Sequence, residues 1–315
     1  MLVLKYPKFP LPLLGVVLLV NKTMQQERQP EVLVIAVPNG FRDPRKSPSR
    51  HTDASILADP SRRFIEKGCG LSYQAGPDDP YYGFADGYPV EFVEMRGQDI
   101  TAAVGDKQSG IHLGITGRDR YENSPESLLD LIEVVRPFPF GRCDLKLGVP
   151  TNSPTFSKDT TLEDIAGLRI ATGLEVIARK ILVERDIDAN IIPMAGHVEN
   201  AIRYNLADVI MDITETGGTM IRHGVTPAER LRSFYAVLIG KKGSLGEDID
   251  LIKSWFLDRV DMTLANPSMW MTPRERQART GEMYLRPMLP NFSSLSEPED
   301  GVIIRSPVVR PQIPA

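Results

Sequence analysis

Residues 209–220 read VIMDITETGGTM, and this stretch indicates the fold class. The apolar run Val209–Met211 is typical of the end of a buried strand. Acid and hydroxyl side chains follow it, then Gly217 and Gly218, a composition typical of a turn. The apolar pair after the turn can begin a helix. A strand, a glycine turn and a helix N-terminus expose unpaired backbone N–H groups, so the stretch predicts either an anion site or an ordinary turn with a threonine cap.

Strand and helix patterns alternate outward from this stretch. The continuous apolar run 32–37 is typical of a strand covered on both faces. Helical spacing recurs over residues 174–182, and a long helix is predicted around 249–260. A shorter helix is predicted over 54–67, and the Pro- and Gly-rich segment 75–89 predicts a surface loop. The alternation indicates an α/β protein with mostly parallel sheets, and its repetition before and after about residue 140 predicts two lobes with a cleft between them.

The predicted boundaries follow from this two-block pattern. Both lobes need buried strands, and the residues outside them are rich in proline or lack a convincing strand. The prediction is an N-terminal extension (1–30), lobe I on the acceptor side (31–140 plus 226–265), lobe II with the glycine turn (141–225) and a Pro-rich tail (266–315).

Composition restricts the classes of partner and site. The chain has 315 residues, of which 42% are hydrophobic and 25% charged, as in ordinary globular proteins. A net charge of −4 gives no electrostatic reason to expect a nucleic-acid partner. Cys69 and Cys143 form no CxxC motif, and the four histidines show no zinc-site spacing. No metal ligands can be assigned with certainty, and a metal is expected to be a hard ion held mainly through substrate phosphates.

The first 22 residues, MLVLKYPKFPLPLLGVVLLVNK, leave three interpretations open. Two lysines precede the apolar run Leu11–Val20, as in a signal peptide. The run is too short for a membrane span, and no small-residue cleavage site follows it. Met24 offers an alternative start. The segment is therefore a spurious extension, a signal or anchor, or a genuine appended segment; a cytoplasmic protein without a membrane partner is expected.

Five segments resemble the ATP phosphoribosyltransferase family of histidine biosynthesis. They match in order over about residues 31–41 and 90–265, and the last is long and specific. The segments are RGQDI (96–100), HLGITGRD (112–119), FGRCDLKLGVP (140–150), GLRIAT (167–172) and GHVENAIRYNLADVIMDITETGGTMIRHGV (196–225). The resemblance implies a divergent short, catalytic form with a two-lobed fold like that of type II periplasmic binding proteins.

The resemblance also implies a reaction and its residues. Phosphoribosyl pyrophosphate would lose pyrophosphate to attack by a ring nitrogen of ATP, with Mg²⁺ as cofactor. Positive charge develops on the ribose, so nearby carboxylates are useful. The catalytic acids would be Asp212 and Glu215, although Glu215 could simply face solvent. The donor phosphate would be bound by Thr214, Thr216, Gly217, Gly218 and Thr219. The acceptor would be bound by Arg96, Asp99, Gly117, Asp119 and Thr172, with a helix N-cap as the alternative role for Asp99.

Several departures from the family pattern fall on the acceptor side. Asn39 stands where a lysine is usual, and His112 replaces an aspartate. The segment GLEVI replaces a Tyr-Pro motif, and residues 42–88 have no counterpart in the family pattern. Three alternatives therefore stay open: transfer to another heterocyclic acceptor, a non-catalytic homologue acting as a regulatory subunit, and a solute-binding protein.

The C-terminal region bears on the predicted partners. The predicted long helix is followed by a Pro-rich tail instead of the regulatory domain of long family members. Short members work with a regulatory subunit related to histidyl-tRNA synthetase, so the resemblance implies such a subunit as a candidate partner. A homo-oligomer is expected as well.

Overall fold

The structure is a computed structural model that describes residues 31–41, 57–76, 79, 81–214, 218–273 and 275–276. Within these ranges the chain forms two β-sheets with helices packed against them. Three residues of the predicted phosphate turn, Glu215, Thr216 and Gly217, lie outside the described residues. The predicted N-terminal extension and the tail beyond Arg276 lie outside them as well.

Three adjacent strands of the first sheet, Leu33–Pro38, Leu113–Gly117 and Ala236–Lys241, are buried at nearly every residue, because the two faces of the sheet bury separate hydrophobic clusters. Helix α2 (Gly97–Gly105) and the short helices α3 (Arg118–Glu122) and α4 (Glu126–Leu129) lie near one face. The spatial order of its seven strands is β2 (Tyr73–Ala75), β3 (Tyr82–Ala85), β4 (Val90–Met95), β1 (Leu33–Pro38), β5 (Leu113–Gly117), β12 (Ala236–Lys241) and β6 (Ile132–Pro137).

The second sheet has five strands and carries its own core on both faces. Helix α5 (Glu175–Glu184) buries Ile177, Ala178, Ile181 and Leu182, the helical pattern predicted there. Two short helices, α6 (Asn200–Arg203) and α7 (Gly218–Arg222), contact β10. The spatial order is β11 (Val225–Phe234), β7 (Cys143–Pro150), β10 (Val209–Thr214), β8 (Arg169–Thr172) and β9 (Asn190–Pro193).

The α/β class and the two-sheet architecture are confirmed, but the expectation of mostly parallel sheets is wrong. Among the strands of the described ranges, only β1 with β4 and β5, and β8 with β9 and β10, pair in parallel. The chain leaves the first sheet after β6 and returns to it at β12. The strands on either side of these two crossings are antiparallel to their neighbours: β7 to β10 and β11, and β12 to β5 and β6. The pairing also assigns residues 225–234 to the second sheet. The division into domains stays a prediction.

The predicted surface loop over 75–89 is wrong in its centre. Strands β2 and β3 form a hairpin that extends the first sheet beside β4. Tyr73 packs against Phe41 and Phe92, with ring centroids 5.5 and 5.9 Å away. Aromatic burial therefore overrides the turn-forming composition of this segment.

Two neighbouring segments connect the sheets. The Phe138 N–H donates to the Ala236 carbonyl at 2.9 Å, and the Ala236 N–H donates to the Phe140 carbonyl at 2.9 Å. Gly141 has φ +70°, and a Cβ there would lie 3.1 Å from the Ala236 Cβ, so glycine suits the close approach of the two segments. The cleft described below lies beside this crossing.

A helical layer closes the core of the first sheet. Helix α1 (Asp59–Arg63) continues as a π-helical turn (Phe64–Gly68), which confirms the helix predicted over 54–67 from residue 57 onward. The long helix α8 (Glu247–Ala265) confirms the prediction around 249–260. The described part of the predicted tail differs from the expectation: a 3₁₀ turn (Pro267–Met269) leads to Trp270, which is buried against Phe64 and Phe140.

No helix in the described ranges combines the length and apolar character that crossing a membrane requires.

We expect acid to weaken the first sheet through His112. Its Nδ1 accepts the Val34 N–H at 3.0 Å. Burial, with the charges of Lys241 and Lys253, lowers the His112 pKa below its usual 6.5. Since the unfolded histidine binds the proton more readily, stability is lost as pH falls from about 6.5 towards the folded pKa. Urea unfolding of the wild type and His112→Asn between pH 7.5 and 5 is the measurement. The unfolding free energy of the wild type should fall more steeply with decreasing pH than that of His112→Asn. Parallel pH dependences of the two proteins would contradict this.

Candidate functional site

A cleft of about 770 Å³ lies between the two sheets. Its first-sheet wall includes residues at the carboxyl ends of β1, β4 and β5, where ligands of open α/β sheets usually bind. Cys143 and Ile213 contribute from the second sheet. The predicted acceptor residues that line the cleft are Arg96, Asp99, Gly117 and Asp119. The structure therefore brings together two short sequence motifs, one with Arg96 and Asp99 and the other with Gly117 and Asp119.

The turn from β4 into α2 places Arg96 and Asp99 in this wall. Arg96 is the N-cap of α2 and has extended backbone angles. Asp99 lies inside the first helical turn, and its N–H donates to the Arg96 carbonyl at 2.8 Å. The alternative N-cap role for Asp99 is therefore wrong, because Arg96 occupies that position without a side-chain cap. The side chains of both residues are exposed and available to a ligand.

A close turn after β5 packs Asp119 against Gly117. Asp119 is only 5% exposed, and a Cβ at position 117 would collide with its Oδ1. The Arg120 Nε lies 3.3 Å from the Asp119 Oδ2, so the carboxylate is held beside a positive charge. Arg120 also lines the cleft and was not predicted as a site residue. Only its position directly after Asp119 could have drawn attention to it.

Asp212 lies on β10, at the end of the second sheet that contributes to the cleft. Its Oδ1 accepts the Ile213 N–H at 2.8 Å. Burial raises the pKa of the Asp212 carboxyl to about 6; the Ile213 hydrogen bond opposes this, Glu199 raises the pKa further, and Arg120 lowers it. The pKa of Asp212 is thus affected by the charge of Glu199 from the second sheet's lobe and by the charge of Arg120 from the first sheet's lobe. A carboxyl that is desolvated and flanked in this way is a functional-site candidate.

Glu199, which precedes α6, is the acid that sequence reasoning missed. Its side chain is mostly buried, and its Oε1 lies 3.7 Å from His197 Nδ1 and 3.9 Å from His223 Nε2. The negative charge of Glu199 raises the pKa of Asp212. The residue lies within the long segment 196–225 that carries the family resemblance, so the signal was present, but its distance from Asp212 along the chain concealed the pairing.

The predicted phosphate turn is described at both ends. Thr214 is buried at the end of β10, and Gly218 and Thr219 begin α7, which confirms the predicted strand and helix around the turn. Glu215, Thr216 and Gly217 lie outside the described residues. The donor-binding roles of the turn, and the catalytic roles of Asp212 and Glu215, stay predictions.

Thr172 is the predicted acceptor residue that does not line the cleft. It ends β8 beside Met211, and its side chain is fully buried. The Thr172 Oγ1 accepts the Leu174 N–H at 3.0 Å, which fixes the turn that leads into α5. This hydrogen bond gives Thr172 a structural role; its predicted contact with an acceptor stays a prediction.

The site combines cations on one wall with carboxyls near the other. Arg96 and Arg120 can contact phosphate oxygens, and the acid pair Asp212–Glu199 can contact hydroxyls or stabilise positive charge. Within the described ranges, no three His, Cys, Asp or Glu side chains gather in a way that could hold a metal. The expectation that a metal would be held mainly through substrate phosphates stays a prediction.

A comparison with known families identifies the group to which this architecture belongs. The sequence model described as "HisG: ATP phosphoribosyltransferase" matches residues 96–259, a little over half of the chain. The chain belongs to the ATP phosphoribosyltransferase family. Membership confirms the resemblance found in the sequence and the predicted enzyme class, a phosphoribosyltransferase. The match covers every residue of the site from Arg96 to Thr219.

Individual members of the ATP phosphoribosyltransferase family are distant relatives. The enzyme of Stenotrophomonas maltophilia (strain R551-3) is 30% identical over 211 residues, covering 65% of this chain and 67% of that protein. The enzyme of Rhodococcus jostii (strain RHA1) is 34% identical over 172 residues, covering 54% of this chain and 56% of that protein. The chain therefore spans only between about half and two thirds of the lengths of these two relatives.

A solved structure shares the fold. A chain from the "ATP phosphoribosyl transferase (HisG:HisZ) complex from Thermotoga maritima" aligns with a TM-score of 0.51 and 18% identity, over 74% of this chain and 99% of that chain. This similarity concerns the fold alone. It agrees with the predicted two-lobed architecture, since nearly all of the Thermotoga chain finds a counterpart here.

Proposed function

We propose that this chain transfers the phosphoribosyl group of phosphoribosyl pyrophosphate to a ring nitrogen of ATP and releases pyrophosphate, the first step of histidine biosynthesis. The observation that carries the proposal is the cleft between the two sheets, which Arg96, Asp119 and Arg120 line within the region matched by the family model. Acidic and basic side chains thus line the cleft in which two highly charged substrates would be joined. Neither the structure nor the comparisons favour another heterocyclic acceptor, an inactive homologue or a solute-binding protein.

The acid pair would act on the ribose of the donor. As the bond to pyrophosphate lengthens, positive charge develops on the ribose ring, and carboxylates held in a desolvated site stabilise it strongly. Asp212 is ionised above pH about 6, so it carries this charge at neutral pH. The route needs no covalent nucleophile, because the acceptor nitrogen attacks the anomeric carbon directly.

The arginines and the turn after β10 would position the two substrates. The backbone of the turn and the hydroxyls of Thr216 and Thr219 would bind the 5′-phosphate of the donor, as the family resemblance implies. Arg96 and Arg120 line the cleft and would contact the phosphates of ATP. Holding both reactants in one cleft converts a bimolecular encounter into a positioned reaction.

Mg²⁺ fits this residue set as a substrate-borne ion. Asp212 and Glu199 are the residues that would hold it, through water, on the ribose side, while the pyrophosphate supplies most of its ligands. When bound, Mg²⁺ would neutralise charge on the leaving pyrophosphate.

The partners of the chain are part of the proposal. The Thermotoga structure is a complex of two named proteins, HisG and HisZ. By analogy we place this chain in the cytoplasm as a homo-oligomer, with a regulatory subunit related to histidyl-tRNA synthetase.

A pyrophosphate-release assay tests the proposed reaction. Purified protein is incubated with phosphoribosyl pyrophosphate, Mg²⁺ and ATP, and the product is identified by mass spectrometry. We expect ATP-dependent release and a product equal in mass to ATP plus one phosphoribosyl group. Release with another purine or an azole, but not with ATP, would contradict the acceptor. Donor binding without release for any acceptor would indicate an inactive homologue.

A further inference from the structure

We propose that Tyr81 is a specificity-determining residue whose ring stacks on the purine base of the acceptor. The inference rests on the proposed function and concerns the same cleft. Tyr81 directly precedes β3, in the hairpin that the sequence predicted as a loop. It lines the cleft, and its side chain is 58% exposed. Among the described residues that line the cleft, Tyr81 alone carries an aromatic ring.

The backbone of Tyr81 is fixed on both sides. Its N–H donates to the Asp79 Oδ1 at 2.8 Å. Its carbonyl accepts the Glu94 N–H at 2.7 Å, which ties it to the carboxyl end of β4. The next two residues of that strand and turn, Met95 and Arg96, line the same cleft. The backbone of Tyr81 is therefore held in place where its side chain lines the same cleft as Arg96.

The other tyrosines of this region are used differently. Tyr73 packs in the core against Phe41 and Phe92, and Tyr88 stacks on Trp255 at 5.2 Å. Within the described ranges, no aromatic ring or guanidinium stacks on Tyr81. The exposed ring of Tyr81 at the cleft therefore offers a flat apolar face to a ligand.

The surroundings of Tyr81 fit a nucleotide rather than a simple anion. A ring stacks on any purine face, whereas Asn39 and Gln98, which also line the cleft, can hydrogen-bond the polar edge of a base. Arg96 and Arg120 supply positive charge for a phosphate chain. A flat aromatic group joined to several phosphates satisfies all three features, and a purine nucleoside triphosphate has that chemistry.

Calorimetric titration of ATP into the full chain, without donor, tests the inference independently of turnover. We expect Tyr81→Ala to weaken ATP binding about tenfold, the usual cost of removing one base–aromatic stack. Tyr81→Phe should bind as the wild type does, because it keeps the ring. Tripolyphosphate, which has no base, should bind equally to all three proteins. Tyr204→Ala removes another exposed tyrosine, one that does not line the cleft, and should leave ATP affinity unchanged.

Three results would overturn the inference. The first is wild-type ATP affinity in Tyr81→Ala, and the second is absence of ATP binding to the wild type. The third is a loss of ATP affinity in Tyr81→Phe as large as that in Tyr81→Ala, with weaker tripolyphosphate binding in both variants. That result would indicate a distorted cleft. The proposed function fails separately, when the wild type binds ATP through Tyr81 yet releases no pyrophosphate with donor present.

Discussion

Replacing Asp212 with asparagine is expected to lower kcat on the order of 100-fold, the usual cost of removing one preorganised electrostatic group. The amide keeps the size of the side chain and can still accept the Ile213 N–H, so the fold should persist. What is lost is the negative charge of Asp212, with which the charges of Arg120 and Glu199 interact. The measurement is pyrophosphate release at saturating donor and ATP, with circular dichroism to verify folding.

The pH profile gives this prediction a second readout. Since the Asp212 pKa is raised to about 6, wild-type kcat should fall as pH drops through that value and the carboxylate is protonated. Asp212→Asn should lack this acid limb. Asp188→Asn, which removes an exposed carboxylate of the same lobe, is the matched control and should behave as the wild type. Full activity in Asp212→Asn would remove the acid pair from the mechanism.

Replacing Phe64 with alanine is expected to cost about 3–5 kcal/mol of unfolding free energy, the range for deleting a fully buried phenylalanine. Phe64 lies in the π-helical turn and contacts Phe138, Phe140 and Trp270, with ring centroids 5.0 to 6.0 Å apart. Its removal leaves a cavity where the crossing between sheets meets the helical layer. Urea unfolding followed by tryptophan fluorescence is the measurement, because Trp270 itself reports on this cluster.

Leu251→Ala provides the control for the Phe64 experiment. Leu251 lies on α8 and is 72% exposed, so its truncation should change stability by less than about 0.5 kcal/mol. If Phe64→Ala and Leu251→Ala unfold at the same urea concentration, the aromatic cluster does not support the first sheet as described.

Local patterns in the sequence were sufficient to predict several elements. The strand and helix around residues 209–222 and the long helix α8 appear where apolar periodicity and glycine position indicated them. Such features depend on neighbours within a few residues, so their signal is contained in a short window. The family motifs also predicted Arg96, Asp99, Gly117 and Asp119 as site residues, and all four line the cleft.

The remaining features depend on contacts between distant segments. The charge of Glu199 acts on Asp212 because α6 packs beside β10, and Tyr81 reaches the cleft because its carbonyl is bonded to Glu94. The antiparallel strands β7 and β12 follow from two crossings between sheets, which no local pattern records. The hairpin β2–β3 is another case, since its turn-rich composition is outweighed by the burial of Tyr73.

Binding of the donor by the glycine turn is the claim on which the proposed chemistry depends, and one titration tests it most directly. Phosphoribosyl pyrophosphate with Mg²⁺ is titrated calorimetrically into the wild type and into Gly217→Val. A branched side chain should keep phosphate oxygens away from backbone N–H groups, so we predict donor affinity lower on the order of 100-fold, equivalent to losing one or two charge-assisted hydrogen bonds. Equal affinities in the two proteins would contradict the account.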